Sequence, residues 1–323
     1  MKRPWHALLL AGLCVPTLPA WSACSTSATA PAAFGSINST LVRTTVQSAS
    51  TTNAGLSCTG SLLSLLTSND HFYATITSTT SGLVGPTGDV IPYTIYANNT
   101  TNFPISRGTR FDFAPNGIID ALGLLNGTSP KSVPLYLKTV VGANVAAGVY
   151  TETLSIYWDW NYCSGIGIGA ICLGRDIGTG TQNLTVSLTV SNDCQITTPA
   201  INFGSAPVVA GFGTVNQAIS IACTKGSAYT VGLGDGENAS GGRRRMKSAA
   251  NNYLAYDIFK SAGAVRWGAL TTARRASSDA DINPGLGTGT GSQVFNYNAK
   301  VYTDQATPPA ATYTDNVILD VQF

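Results

Sequence analysis

The sequence predicts an all-β protein built as two β-sandwiches in tandem, and three observations predict it. The first is a long internal repeat: Cys24, Phe34-Gly35 and Cys58 return as Cys194, Phe203-Gly204 and Cys223. Further along, Tyr93 to Tyr96 is answered by Tyr253 to Tyr256, and Ala147 to Ile156 by Ala311 to Leu319. A repeat of that length is a whole domain and not a solenoid unit. The second observation is alternation of apolar and polar residues over short segments bounded by Gly, Pro, Asn and Ser, which marks half-buried antiparallel strands. The third is composition: Thr, Ser, Val, Gly, Asn and Tyr dominate, amphipathic helical stretches are absent, and charged residues make up 11%. Such a chain favours strands.

In chain order, Met1-Lys2-Arg3, an apolar run from Ala7 to Val15 and the small residues between Leu18 and Ala23 form a secretory signal peptide over residues 1–22. The run is too short to span a bilayer. The first domain is expected over 23–191, with strands at Phe72 to Thr77, Tyr93 to Ala97, Val133 to Thr139, Thr153 to Trp158 and Leu184 to Val190. A linker near Ser191 to Asp193 leads to the second domain, 192–323, with strands at Ala218 to Ala222, Tyr229 to Leu233, Tyr253 to Phe259, Phe295 to Tyr302 and Val317 to Phe323. Removal of Cys14 with the signal leaves six cysteines of seven, an even number suited to an exported, oxidised chain. Spacing alone leaves the connectivity open, but equivalent positions in the repeats pair Cys24 with Cys58 and Cys194 with Cys223, leaving Cys163 with Cys172. Closing a loop of some thirty residues is worth about 3 to 4 kcal/mol on the chain-entropy model.

The copies end differently. After Ile156 the first adds a cysteine-bracketed loop, Cys163 to Cys172, and then the alternating strand Leu184, Val186, Leu188, Val190. The second stops on Val317, Leu319, Val321 and Phe323, four residues that share one face of a strand. An uncovered apolar edge invites pairing with another strand. The first copy is therefore expected to be self-complete and the second to accept a strand.

The early Cys with Phe203-Gly204, Cys223, the run Gly242 to Met246, Tyr253 to Tyr256 and the terminal segment Tyr313 to Leu319 resemble the spore coat U domain family, the pilin-type domains of archaic chaperone-usher pili. The first half resembles it more loosely and lacks a counterpart of Arg245-Met246. The resemblance implies an incomplete immunoglobulin-like second domain, filled first by a periplasmic pilus chaperone and then by an adjacent pilin subunit that donates a strand. It also implies an outer-membrane usher as partner. With at most a residue or so between the cleavage site and Cys24, the chain has no strand to give onward, which fits a two-domain adhesin at the pilus tip on the bacterial surface.

Three glycine-rich segments carry large apolar residues where turns are usually polar: Leu83, Val84 and Pro86; Ile118, Ile119, Leu122, Leu124 and Leu125; and Ile166, Ile168, Ile171 and Leu173. Exposed together, they would form an apolar tip for abiotic or host surfaces, serving attachment and biofilm formation. The stretch Ile118 to Leu125 fits a short buried helix equally well. Tyr157, Trp158, Trp160 and Tyr162 could form a sugar-stacking platform, making a lectin-type adhesin, or pack in the core. A self-contained secreted spore-coat-like or matrix protein is a further alternative.

Catalysis is not expected. Only His71 survives signal removal, so a Ser-His-Asp triad has one candidate base, and no glycosidase carboxylate pair stands out. Gly285 to Gly291 lacks the Lys-Ser/Thr and helix of a phosphate loop and is expected to be a flexible turn. No CxxC occurs, so neither metal nor cofactor is expected. A net charge of +2 gives no electrostatic case for nucleic acid, and Arg243 to Arg245 and Arg274-Arg275 are expected on solvated loop faces.

Overall fold

A computed structural model describes residues 24–60, 70–115, 118, 127–168 and 171–323; the expected signal peptide lies outside them. The chain forms mainly antiparallel sheets around two hydrophobic cores, one drawn from Cys24 to Val190 and one from Val209 to Val301. Each core lies between facing sheets, the arrangement of a β-sandwich.

In the first half the central sheet runs in the order Arg110–Asp112, His71–Thr77, Gly148–Ile168, Ile171–Ser191, Ala32–Asn38. Its inner face carries Phe72, Ala74 and Ile76, then Leu154, Ile156 and Trp158, then Leu184, Val186 and Leu188, all buried. Opposite lies the sheet of Ser48–Thr51, Leu135–Thr139, Tyr93–Tyr96 and Pro104–Ile105, contributing Leu135, Leu137 and Ile95. Strict period two in each segment is what allows both faces to meet in a dry layer. The strand Ile171–Ser191 pairs antiparallel with Gly148–Ile168 and parallel with Ala32–Asn38, so Leu184 to Val190 closes the sheet as its alternation predicts. A short helix, Ser39–Thr44, follows, started by Asn38, whose side chain accepts from the Leu41 amide at 2.8 Å.

The segment expected to be a loop at Cys163 to Cys172 is instead the far end of a single long hairpin, with strand backbone to Ile168 and again from Ile171. The alternation does not stop at Ile156: Trp158, Trp160 and Tyr162 continue the buried face, and the Trp158 Nε1–H donates to the Ala54 carbonyl at 2.9 Å. The opposing strand accommodates these rings with glycine. A Cβ on Gly178 would stand 2.2 Å from Trp160 Cζ2. Replacing Gly178 with Ala is therefore expected to displace the indole and cost about 1 to 3 kcal/mol, read as a lower denaturant midpoint with an unchanged slope.

All three disulfides pair as the repeat indicates: Cys24–Cys58, Cys163–Cys172 and Cys194–Cys223. The first and third join directly opposed positions of antiparallel strands, each with Cα atoms 4.0 Å apart.

The second half has one sheet ordered Cys194–Thr197, Val215–Cys223, Gln293–Val301, Tyr253–Lys260, Arg244–Lys247, and a smaller one of Arg275–Ala276, Thr230–Leu233 and Leu319–Gln322. The arginines do not occupy solvated loop faces. Arg244 is fully buried, pairs with Asp257 and donates to the carbonyls of Leu233, Gly234 and Trp267. Arg274 and Arg275 are buried too, paired with Asp320 and Asp281. Arg243 and Arg245, on the other face of the strand, are partly exposed: Arg243 pairs with Asp304 and lies over the Tyr302 ring, and Arg245 lies over the Tyr253 ring and donates to the Asn238 carbonyl. Carboxylates and carbonyls scattered in sequence converge on these guanidinium groups, and a local charge run cannot reveal that.

Candidate functional site

The segment Tyr313 to Phe323 repeats Tyr150 to Trp160, and their environments differ. In the first copy Tyr150, Glu152, Leu154, Ile156, Trp158 and Trp160 are all buried, on a strand paired along its length with Ile171–Ser191. In the second, Tyr313, Asp315, Val317, Leu319 and Val321 are only half-buried and Phe323 is 55% exposed. The residues between them, Thr314, Asn316 and Ile318, face solvent, so the face carrying Tyr313, Val317, Leu319 and Val321 is the one left partly open.

The same contrast holds on the other side. Ala32–Asn38, containing Phe34-Gly35, is a strand because Ile171–Ser191 pairs with it, whereas the equivalent stretch around Phe203-Gly204 has no strand partner and no strand structure. Gly35 and Gly204 keep the same left-handed backbone, φ 85° and 73°, so the local conformation persists without the pairing. Between this stretch and Tyr313 to Leu319 runs a groove of about 370 Å³. Ile201 and Phe203 form one wall and Tyr313, Val317 and Leu319 the other, above a floor of Ile219, Met246, Tyr256 and Tyr297. No described residue lies where Leu184 to Val190 lies in the first half.

At one end of the groove is a carboxylate held by neutral donors. Asp315 Oδ2 accepts from the Tyr256 hydroxyl at 2.8 Å, and Oδ1 from the amides of Glu237 and Asn316 at 2.9 and 3.0 Å. Burial, with Asp315 beside it, drives the Tyr256 hydroxyl far above its ordinary pKa, so it remains a donor. The first half has a related trio: Phe34 packs edge-on against Tyr93 as Phe203 does against Tyr256, and burial, together with Glu152, raises Tyr93 likewise, although the Tyr93 hydroxyl makes no hydrogen bond. Tyr93 thus corresponds to Tyr256, a shift of three residues from the expected match of Tyr93 with Tyr253. Glu152 differs from Asp315 in having a cation, Arg107, at 2.9 Å.

The expected surface loops divide. Leu83 and Ile118 are core residues, contrary to the expectation of exposure. Leu83 lies in a strand paired with Val90–Ile91, and its flanking glycines serve close approach: a Cβ on Gly82 would sit 2.5 Å from the Ile91 carbonyl oxygen, and one on Gly85 2.3 Å from the Tyr150 ring. Val84 is half-buried opposite Thr151, and Pro86 is exposed at the following turn. Of the stretch Ile118 to Leu125 only Ile118 is described, and it is buried; Ile119, Leu122, Leu124 and Leu125 lie outside the described residues. Of Ile166, Ile168, Ile171 and Leu173 the backbone is described: Ile166 stands opposite Leu173 and Ile168 opposite Ile171 at the hairpin tip, beyond the Cys163–Cys172 bond. Trp158, Trp160 and Tyr162 are core, so the sugar platform is not formed; only Tyr157, 44% exposed, points outward.

His71 lies in a strand, stacked on Tyr73 with centroids 4.1 Å apart and 3.6 Å from Asp159. Gly285 to Gly291 is an irregular segment tied by backbone bonds to Cys223, Gly226 and Ser227. The groove floor carries no local pattern of its own in the sequence; the repeated Phe-Gly pair at its wall is the one signal of it.

The model of the Spore Coat Protein U domain matches residues 11–157 and 180–320. No curated protein matches the sequence. Among solved structures, a chain of the CsuC–CsuE chaperone–tip adhesion subunit pre-assembly complex from archaic chaperone-usher Csu pili of Acinetobacter baumannii is 28% identical, with a TM-score of 0.64, over 93% of this chain and 100% of that one. CfaE, the adhesive subunit of CFA/I fimbria of enterotoxigenic Escherichia coli, is 12% identical over 82% of this chain and 76% of its own, TM-score 0.29. The CupB6 tip adhesin from Pseudomonas aeruginosa is 11% identical over 92% and 93%, also TM-score 0.29. Likenesses as slight as these last two carry no weight for this chain.

Proposed function

We propose, from the premise that the chain belongs to the Spore Coat Protein U domain family, that it is a pilus adhesin anchored to its fibre by a strand received in the groove beside Tyr313 to Leu319. The observation that carries this reading is the groove itself, floored by apolar and aromatic side chains and bordered by Tyr313 to Leu319, the repeat of the segment that pairs with Leu184 to Val190 in the first half. In this reading residues 1–22 direct export, 23–191 form the adhesive domain and 192–323 the strand acceptor. A periplasmic chaperone fills the groove first, and an adjacent pilin strand replaces it at the outer-membrane usher. The likeness to a chain of a chaperone–tip adhesion subunit complex supports the tip as its location on the cell surface.

The test is direct. A peptide with the alternating sequence of Gln182 to Val190, added to the mature chain at a hundred times its dissociation constant, is expected to stabilise the second half by about 2.7 kcal/mol. An unchanged melting curve at saturating peptide would reject strand acceptance.

For the adhesive end, the hairpin tip beyond Cys163–Cys172 is the favoured contact, because four large apolar residues meet there in register on a disulfide-closed ribbon. Each such side chain moved onto an apolar surface is worth about 1.5 to 3 kcal/mol, and many fibres multiply the gain. Replacing Ile166 and Ile168 with Ser is expected to leave fibres assembled and to abolish attachment to plastic, scored by counting attached cells. Undiminished attachment would remove the tip from the contact.

A further inference from the structure

The glycine-rich segment Gly285 to Gly291 forms no phosphate loop, yet it is closely fitted on both sides. Toward the second half it lies against Cys223 to Ser227: the Gly287 amide donates to the Ser227 carbonyl and the Gly289 amide to the Cys223 carbonyl, at 2.8 and 2.9 Å. Toward the first half it presents carbonyls. Asn144 Nδ2 donates to Thr288 at 2.9 Å, and the Arg43 guanidinium to Gly289.

Glycine is needed at two of these positions. A Cβ on Gly287 would stand 2.4 Å from the Thr224 carbonyl oxygen. Gly289 has φ +80°, and a Cβ there would stand 1.9 Å from Asn144 Oδ1. The foot of the segment is pinned from inside: fully buried Gln293 donates to the carbonyls of Asn283 and Gly285 at 2.9 and 3.0 Å while accepting from the Tyr229 hydroxyl at 2.6 Å.

Other ties flank it. The hydroxyls of Ser39 and Thr224 are 2.7 Å apart, Lys225 Nζ meets Asp89 Oδ1 at 2.5 Å, and Ala146 forms a parallel bridge with Lys225. Asp89 is itself held by Thr87 and by the Ala146 amide. The connection between the halves is drawn in as well, since the Asp193 amide donates to Thr224 Oγ1 at 2.8 Å.

Halves joined by a short polar linker move relative to one another unless their seam resists it. We infer that Gly285 to Gly291 is a clasp whose carbonyls, gripped by Arg43 and Asn144, hold the two halves of this chain in one fixed orientation. The clasp is independent of the adhesive reading: it makes the two halves move as one body whatever the far end touches.

The experiment uses the full mature chain with one spin label on an exposed strand residue of each half, at Thr153 and Asn216. Double electron–electron resonance is expected to give a single narrow distance distribution. In the double variant Arg43→Ala and Asn144→Ala, the distribution is expected to broaden at least twofold while circular dichroism of the sheets stays unchanged. A broad distribution in the unmodified chain overturns the inference outright, whatever the variants do. A narrow one retained in the folded double variant overturns the role of the glycine segment. Labels made insensitive by poor folding of the variant are replaced by Gly289→Val, which pushes the segment away from Asn144 without removing either gripping side chain and is expected to broaden the distribution equally; a narrow distribution there has the same adverse meaning.

Discussion

Replacing Asp257 with Ala is expected to cost the second half about 3 to 5 kcal/mol, the usual consequence of leaving one member of a buried ion pair alone. Against the 5 to 15 kcal/mol that holds a typical domain together, this is a large share of the total. The side chains of Arg244 and Asp257 are both fully inaccessible to solvent, and Arg244 Nη1 meets Asp257 Oδ1 at 2.5 Å. Arg266 Nε lies 2.9 Å from both Asp257 oxygens, and the Tyr302 hydroxyl donates to Oδ2 at 3.2 Å. Burial already draws the Arg244 guanidinium below its ordinary pKa, with Asp257 opposing the shift and Arg266 adding to it, so removal of the carboxylate leaves a buried cation facing three carbonyls with the like charge of Arg266 nearby. Chemical denaturation followed by Trp267 fluorescence measures the loss. The combined variant Arg244→Met and Asp257→Leu supplies the contrast: with both charges gone and volume kept, the cost is expected to fall well below that of Asp257→Ala. Equal costs would show that the pair acts through shape and not charge.

The second large effect is expected in the groove. Leu319 stands opposite Leu233 in the sheet and lines the gap between Tyr313 and the Phe203 stretch. Leu319→Asp would place a carboxylate where an incoming strand must bury its apolar side chains, and an ionised group without a partner is very unfavourable there. A loss of at least a hundredfold in affinity, about 2.8 kcal/mol, is expected for the Gln182 to Val190 peptide. Stability of the unfilled chain changes much less, because Leu319 is only half-buried. Ile318→Asp is the control: one residue away on the opposite face and 75% exposed, it is expected to bind the peptide normally. If both variants bind equally well, the groove is not where the strand goes.

Much of the fold was legible because the signals were local or repeated. Alternation at Phe72 to Thr77 and Leu184 to Val190 specified strands and faces, since a period of two leaves only one side for the core. Equivalent cysteines gave the disulfide pairing because opposed strand positions recur at the same place in both copies. Alignment of the copies was less legible. Tyr93 to Tyr96 and Tyr253 to Tyr256 look alike as text, but the contacts with Phe34 and Glu152, and with Phe203 and Asp315, put Tyr93 with Tyr256. Two Tyr pairs spaced three apart offer two matches, and only long-range partners choose between them.

The glycine-rich loops are ambiguous in sequence for a related reason. Glycine beside Leu83 suggested a free turn, whereas Gly82 and Gly85 bring backbone against Ile91 and Tyr150 and so bury Leu83. The glycine run at 285–291 likewise suggested slack and instead lies fitted between two surfaces. Glycine permits both slack and close approach, and sequence does not distinguish them.

By itself, then, the sequence determined the class of fold, the twofold repeat, the disulfides and the unequal filling of the two copies. Each of these follows from periodicity or duplication, which are properties of the chain as a string. The tertiary structure alone decided that Arg244 is a buried anchor, that Phe203, Met246 and Tyr256 line the open groove, and that Arg43 and Asn144 grip Gly285 to Gly291. Those assignments depend on partners tens to hundreds of residues apart, and the free energy that selects them comes from desolvation and hydrogen-bond geometry at contacts that exist only once the sheets have packed.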